Sequence, residues 1–313
     1  MEKKPKVTLL LAHACGFSKD MWAPVVRRLQ EIPALQRVEI QFVSFDFPYH
    51  GRRSDVSLAE TLTVNKRNPK VVRVSGECDD VKSWYLKTMP QQVERVKRDK
   101  PADFLIGVGF SMGSGALWAM EVAHPGTFDA LILFEPTLDT KTPRTEAVRS
   151  YLIASTLKRP SFWPSRAAAE TYFSTTEAFG AWDREALAAH LVGALKDEAD
   201  GSVSLACDPR LEASLYSMEA LHFSDMELQQ PKCPIRFHWG TNSHVLREDA
   251  QGHRDQVPQH LHNSQGDARP RPFGGDGRPR THREQHRTRA TTARTFRSGE
   301  GEAVKQAIRI AKT

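Results

Sequence analysis

A glycine-rich segment at residues 103–118 constrains the fold of this chain more than any other part of the sequence. The apolar run 104–108 predicts a buried strand, and residues 116–122 predict a helix. Between them stands Gly-Phe-Ser-Met-Gly, with Ser111 at its centre. A strand, a G-x-S-x-G pattern and a helix in this order are typical of a nucleophile elbow, a turn so tight that glycine is needed two positions either side of the serine. The alternative is an ordinary serine in a glycine-rich turn.

Other apolar runs, alternating with helical patterns, predict a parallel sheet. Residues 7–12 form a continuous apolar run, as expected of a strand that is covered on both faces. The alternation predicts right-handed crossovers and an α/β fold. Helices are predicted at 21–29 and 81–97. The strands expected to lie side by side and parallel are 7–13, 41–46, 103–109, 129–135 and 235–240.

The alternation breaks between the fourth and fifth of these strands. Residues 137–225 show helical patterns, as at 167–173 and 184–195, and no strong strand. A segment of this length between two core strands predicts a helical cap over the strand ends. Residues 1–136 and 226–246 are then the two parts of one core. The aromatic residues of the cap suit its own interior and a substrate lining equally well; they are Phe162, Trp163, Tyr172, Phe173, Phe179 and Trp182.

The composition changes sharply after residue 246. Residues 247–313 contain 14 Lys and Arg against 8 Asp and Glu, so this tail accounts for the whole formal net charge of +6. Residues 247–300 have too few aliphatic side chains to offset the entropy cost of ordering. The tail is therefore predicted to be disordered or, because GC-rich DNA read out of frame yields Arg, Pro and His, to be translated from a shifted frame. A short isolated helix is predicted at 302–312.

Cysteine usage and hydropathy restrict the class of protein. The four cysteines lie far apart, without metal-ligand spacing or a dense framework. Reduced thiols in an intracellular protein are the expected state. No apolar run has the length of a membrane span. We expect a cytoplasmic protein with no metal and no cofactor, and the sequence leaves its oligomeric state open.

A serine hydroxyl at an elbow needs a general base, usually a histidine that is held by a carboxylate. In enzymes that carry such an elbow above a parallel sheet, the chain order of the three catalytic residues is nucleophile, acid, histidine. The loop at 240–246 contains no carboxylate, whereas the strand before the cap ends in Glu135. Glu135 is therefore the predicted acid, with Asp139 as the second candidate. A solvated glutamate at a strand end is the alternative interpretation.

An oxyanion hole needs two backbone N–H groups that point at the developing negative charge. Met112, directly after Ser111, is expected to supply one of them. Cys15, in the loop after the first strand, is expected to supply the other. This role uses the amide of Cys15 and not its thiol, so a catalytic cysteine is not expected.

These motifs resemble those of α/β-hydrolase-fold serine hydrolases. The resemblance covers residues 7–246 and rests on the segments 13–17, 46–54, 109–113 and 133–136. It implies an α/β-hydrolase fold, a mostly parallel sheet with helices on both faces and a helical cap, and a small-molecule ester or acyl-CoA-like substrate.

The segments 13–22, 134–137 and 163–166 resemble, more narrowly, a bacterial and fungal branch of that family. The branch includes peroxisomal hydrolases of toxin and polyketide pathways, some of them acyl-CoA hydrolases. In that branch the acid follows the strand before the cap, consistent with Glu135. The terminal Ile-Ala-Lys-Thr is not a peroxisomal signal, so the compartment of those relatives is not expected here.

The resemblance does not extend to the catalytic histidine. Family members carry it in a loop that follows one further strand, and no such context is recognisable here. His282 and His286 stand at about the right distance along the chain, but no predicted strand precedes them, and His262 is placed no better. His13 and His50 precede the acid and are predicted to structure loops. The histidine is therefore unassigned.

Two functional hypotheses remain. The first is a serine hydrolase that cleaves a carboxylic ester or acyl thioester through an acyl-enzyme on Ser111. The second is a catalytically silent hydrolase-fold protein, a binding module or a truncated relic, because loss of the base removes most of the rate. A nucleic-acid-binding role for the Arg-rich tail is disfavoured, since Phe273 and Phe296 are its only aromatic residues for stacking on bases.

Overall fold

The computed structural model describes residues 4–55, 57–58, 62–68, 71–136, 143–180 and 182–240. All of these residues belong to one compact unit, residues 1–263. No residue of the second unit, residues 264–313, is among the described ones. The strands are β1 (Lys6–Ala12), β2 (Glu39–Phe45), β3 (Val64–Asn68), β4 (Val71–Val74), β5 (Phe104–Phe110), β6 (Ala130–Phe134), β7 (Phe162–Trp163), β8 (Leu195–Asp197), β9 (Val203–Leu205) and β10 (Ile235–His238). The helices are α1 (Ala23–Gln30), α2 (Val81–Asp99), α3 (Met112–Ala123), α4 (Pro143–Lys158), α5 (Arg166–Thr175), α6 (Glu177–Gly180), α7 (Arg184–Ala194), α8 (Pro209–Ser217) and α9 (Asp225–Leu228).

Five of the strands form the central sheet, in the order β10-β6-β5-β1-β2. Every neighbouring pair in this sheet is parallel. The five strands predicted from apolar runs are therefore confirmed, with ends that differ by one or two residues. Because parallel strands end at the same edge of a sheet, the segments that follow β1, β5 and β6 lie close together.

Helix α3 lies at the centre of the core. Its residues from Met112 to Val122 are all buried, as expected of a helix that is apolar on nearly every side. It packs against β1, β5, β6 and α2. Trp118 in α3 and Trp84 in α2 are among the largest fully buried side chains. This packing fixes the N-terminus of α3, and with it the residues that join β5 to α3.

Glu121 holds the chain segments at the N-terminal ends of β6 and β10. Its side chain is fully buried in α3 and accepts hydrogen bonds from the backbone N–H groups of Gly126, Phe128 and Lys232, at 2.8, 3.2 and 3.0 Å. Buried carboxylates are tolerated when hydrogen bonds satisfy them. Glu121 thereby ties together the chain segments that lead into β6 and β10.

A long insert separates β6 from β10, although these two strands are hydrogen-bonded neighbours. It contains α4 to α9, in agreement with the predicted helical excursion, and also a three-stranded antiparallel sheet in the order β7-β9-β8. That small sheet was not predicted, because strands of two or three residues cannot display an alternating pattern. The boundaries 137 and 225 that the sequence assigns to a cap stay a prediction.

The segment between residues 55 and 80 contains strands that are not among the predicted ones. It contains the antiparallel pair β3 and β4, and Val74 at the end of β4 is buried. β3 is mostly polar and β4 has only four residues, so neither strand forms a long apolar run.

Several predictions fall on residues that the structure does not describe. The Arg-rich tail, the helix at 302–312, Asp139, His262, His282 and His286 all lie outside the described residues. Within the described ranges, no helix combines the length and the apolar content needed to cross a bilayer.

Candidate active site

Ser111 lies at the junction of β5 and α3 in an unusual backbone conformation. Its φ is 50° and its ψ is −113°, in the region that side-chain-bearing residues rarely adopt. Its N–H donates to Phe134 O at 2.9 Å, and its carbonyl accepts from Gly115 N at 3.1 Å. Helix α3 begins directly after it, so Ser111 sits at the positive end of a helix dipole.

The two glycines of the G-x-S-x-G pattern are required by close backbone packing. A Cβ added to Gly113 would lie 2.1 Å from the carbonyl oxygen of Ala12 at the end of β1. A Cβ added to Gly109 would lie 2.6 Å from the backbone of Ser114. Both distances are well inside van der Waals contact. Glycine at these positions therefore lets α3 start directly against the ends of β1 and β5.

Glu135 follows β6 and lies beside Ser111. The residues before them, Phe110 and Phe134, are partners in the register of β5 and β6. Glu135 has a φ of 47°, its N–H donates to His238 O at 2.8 Å, and its Oε1 accepts from Gly240 N. The backbone N–H and the carboxylate of Glu135 are thus both held by the segment 238–240, which restricts the direction of the carboxylate.

The N–H groups of Cys15 and Met112 are available to a ligand. Both residues are buried. Among the described residues, neither backbone N–H donates to a protein acceptor. The neighbouring amide of Gly16 is used, since it donates to His50 Nε2 at 3.0 Å. A buried N–H without a partner carries a free-energy cost that a negatively charged oxygen would offset.

The thiol of Cys15 is held in its neutral form. Burial, followed by the carboxylate of Glu212, raises the pKa of Cys15 well above its usual value, although a hydrogen bond with Tyr216 acts in the opposite direction. A neutral thiol is a poor nucleophile. The arrangement therefore favours the amide of Cys15 over its sulfur as the functional group.

His13 and His50 hold the loops that follow β1 and β2. Nδ1 of His13 donates to Ala14 O at 2.8 Å, and its Nε2 accepts from Phe47 N at 3.0 Å. Nδ1 of His50 donates to Pro48 O at 2.7 Å, while its Nε2 accepts from the Gly16 amide. Both rings are fully buried. Because all four ring nitrogens are engaged, neither imidazole has a nitrogen free to take a proton from Ser111.

Asp46 connects the same two loops. Its Oδ1 accepts from Lys19 N at 2.8 Å, and its Oδ2 accepts from Arg52 N at 3.2 Å. A Cβ on Gly51, whose φ is 54°, would collide with the Asp46 carboxylate at 2.4 Å. The loop that carries Cys15 is therefore fixed to the loop at 46–53.

An ion pair from the insert also lies against the Cys15 loop, and sequence reasoning missed it. Glu212 in α8 is nearly fully buried and pairs with Arg159. A Cβ on Gly16 would lie 2.7 Å from Glu212 Oε1, so the carboxylate packs directly on the Gly16 backbone. Burial alone would lower the pKa of Arg159, but the Glu212 carboxylate raises it above its usual value. Arg159 therefore stays charged.

Because three histidines are buried, we expect the free energy of unfolding to decrease in acid. Burial is the main cause that lowers the pKa of His13, His50 and His190, for His190 to about 4. The unfolded chain binds protons on these histidines below an ordinary pKa of about 6.5, whereas the folded protein does not. The contribution to stability is therefore complete above that pH and is lost as the pH falls towards the folded pKa.

We expect the His190→Leu variant to lose less stability in acid than the wild type. Its free energy of unfolding should fall by about 2 kcal/mol less between pH 6.5 and 5, since each unit of pH is worth about 1.4 kcal/mol per histidine. Urea unfolding at a series of pH values measures this difference. The exposed His124, replaced by Gln, is the control. An unchanged pH dependence in His190→Leu would contradict the assignment.

The family model described as the alpha/beta hydrolase family matches residues 9–286 of the chain. No curated protein sequence gives a significant match. Among the described residues, no group of three or more His, Cys, Asp or Glu is placed to hold a metal ion.

Solved structures of hydrolases share the fold. The peroxisomal alpha-beta-hydrolase Lpx1 of Saccharomyces cerevisiae is 16% identical with a TM-score of 0.53, over 82% of this chain and 77% of that one. E-2-(acetamidomethylene)succinate hydrolase is 14% identical with a TM-score of 0.57, over 83% and 82% of the two chains. The thioesterase domain from the curacin biosynthetic pathway is 20% identical with a TM-score of 0.52, over 81% of each. At these identities the likeness concerns the fold.

Proposed function

Because the chain belongs to the alpha/beta hydrolase family, we propose that it is a serine hydrolase which cleaves a carboxylic ester or acyl thioester through an acyl-enzyme on Ser111. The observation that carries the proposal is the backbone of Ser111, which has a positive φ at the start of α3. Two N–H groups without a protein acceptor, those of Cys15 and Met112, support it.

In the proposed reaction the Ser111 hydroxyl adds to the carbonyl carbon of the substrate and gives its proton to a base. The negative charge on the carbonyl oxygen is stabilised by the amides of Cys15 and Met112. The carbon–oxygen or carbon–sulfur bond then breaks, and the alcohol or thiol leaves with the proton. Water hydrolyses the acyl-enzyme by the same steps and releases the acid. Glu135 orients the histidine and stabilises its charged form.

The histidine of this triad is assigned to no residue of the described ranges. The span that the family model matches, 9–286, includes His262, His282 and His286, so these residues stay candidates.

The second candidate function is a catalytically silent hydrolase-fold protein that binds a small molecule. One observation favours it: in the part of the chain that the structure describes, no histidine forms a hydrogen bond with the Ser111 hydroxyl. Without a base the rate falls by orders of magnitude, while the oxyanion hole and the pocket still bind a ligand.

A fluorophosphonate probe, which reacts with activated serines, tests the proposal. We expect the probe to label the wild type and to spare Ser111→Ala. Ser114→Ala is the matched control, because Ser114 lies one turn along and uses its hydroxyl to donate to Phe134 O at 2.8 Å. Equal labelling of Ser111→Ala and wild type would reject the nucleophile. A wild type that neither reacts with the probe nor hydrolyses p-nitrophenyl acetate would favour the silent candidate.

A further inference from the structure

Three aromatic rings lie in a row whose first member, Phe110, directly precedes Ser111 in the chain. Phe110 is the last residue of β5, Phe17 belongs to the Cys15 loop, and Trp182 belongs to the insert. The rings of Phe17 and Phe110 meet edge to face, with centroids 6.1 Å apart at 83°. The rings of Phe17 and Trp182 are nearly parallel, 5.5 Å apart at 8°. We call Phe110, Phe17 and Trp182 the aromatic row.

Each of the three residues of the row is half-buried. Behind Trp182 lies an apolar cluster of the insert that includes Phe173 and Leu187. His190 packs on Phe17 with ring centroids 4.8 Å apart, and it is uncharged at neutral pH because burial, followed by Arg159, lowers its pKa to about 4. The side of the row that faces this cluster and His190 is therefore apolar and uncharged, whereas at the exposed side Nε of Arg184 donates to Trp182 O at 3.2 Å.

The nearby ion pair does not favour a negatively charged acyl group. Glu212 already neutralises Arg159, and its side chain is only 4% exposed. A substrate carboxylate at this place would leave the buried site with one uncompensated negative charge, which is costly. A neutral acyl group avoids that cost.

We propose that the aromatic row is the binding site for the acyl group and that it selects an aryl-bearing acyl group, such as arylacetyl, over a saturated one of equal size. The inference rests on the proposed function and names its substrate class. An acyl group on Ser111 lies beside Phe110, its direct neighbour. Its carbonyl lies at the Cys15 amide, two residues from Phe17. An aromatic substrate ring meets these rings edge to face or offset-stacked, which a saturated ring cannot do.

The test uses the full-length Ser111→Ala protein, so that esters bind without turnover. Methyl phenylacetate and methyl cyclohexylacetate differ in the aromaticity of their rings, and isothermal titration compares their Kd values. We expect the aryl ester to bind about 3- to 10-fold more tightly. Equal affinity, or tighter binding of the cyclohexyl ester, would overturn the proposal. Monomethyl succinate is expected to bind more weakly than the aryl ester, and the reverse order would also overturn it.

Substitutions within the row separate it from a general apolar surface. Trp182→Leu and Phe17→Leu, each in the Ser111→Ala protein, should remove the preference for the aryl ester. Phe162→Leu is the control, because Phe162 is 61% exposed in β7, and it should keep the preference. If one row variant fails to unfold cooperatively, the other decides. A preference that survives in a folded row variant would reject the site.

Failure of the acyl site and failure of the proposed function give different results. If Ser111→Ala prefers the aryl ester and the wild type hydrolyses neither ester, the row stands as a binding site and the hydrolase proposal fails. If the wild type hydrolyses both esters at equal kcat/KM and the Ser111→Ala protein shows no preference in Kd, the hydrolase proposal stands and the row is rejected.

Discussion

Replacing Glu135 with glutamine is expected to lower kcat for ester hydrolysis by about 10⁴-fold and to leave KM within about twofold. A neutral amide cannot stabilise the imidazolium that forms in the proposed transition state. The backbone of Glu135 is held by His238 O, and its Oε1 by the Gly240 amide. Glutamine retains an acceptor for that amide, so the fold should persist. Steady-state kinetics with p-nitrophenyl esters, and the rate of fluorophosphonate labelling, measure the effect.

Asp129 offers a control next to the same strand. It directly precedes β6, so it lies at the opposite end of that strand from Glu135. Its carboxylate accepts a hydrogen bond from Leu105 N at 2.7 Å. Asp129→Asn should leave kcat nearly unchanged. An equal loss of kcat in both variants would indicate a general effect on the sheet. An unimpaired Glu135→Gln would remove Glu135 from the proposed triad and direct attention to another carboxylate.

The central sheet could be predicted from the sequence because its inner strands β1, β5 and β6 are mostly apolar runs. A strand that is buried on both faces is expected to be mostly apolar, and β1 and β5 meet this condition. The pair β3 and β4 could not be predicted in this way, since β3 is mostly polar and β4 has only four residues. The strands of the insert were missed for another reason: β7 has two residues, and its pairing with β9 depends on tertiary contacts.

Some residues of the candidate site can be identified from a local sequence pattern, and others only from contacts in the folded chain. Ser111 and its glycines form a local pattern, and Glu135 follows from the end of a predicted strand. The contact of Phe17 with Trp182 joins the Cys15 loop to the insert, and no spacing in the sequence indicates it. The pairing of Arg159 with Glu212, 53 residues apart, is likewise a property of the folded chain. The histidine has no local context, which is why sequence reasoning left it unassigned.

The Arg159→Met variant is expected to lose about 3–5 kcal/mol of the free energy of unfolding. The side chain of Glu212 is 4% exposed and that of Arg159 is 23% exposed, so the substitution leaves a buried carboxylate without its partner. The carboxylate also packs on Gly16. The loss of stability should therefore be accompanied by faster hydrogen exchange in the Cys15 loop. Urea unfolding and hydrogen-exchange mass spectrometry measure the two effects.

The double variant Arg159→Met/Glu212→Met distinguishes a buried charge from lost packing. Removal of both charges should restore the free energy of unfolding to within about 1 kcal/mol of the wild type, because an apolar pair of similar volume replaces an ion pair that is costly to desolvate. Arg27→Met is the matched surface control, since Arg27 pairs with Glu185 but is 53% exposed; it should leave the stability nearly unchanged. A double variant as unstable as Arg159→Met would show that the shape of these side chains, and not their charge, holds the Cys15 loop in place.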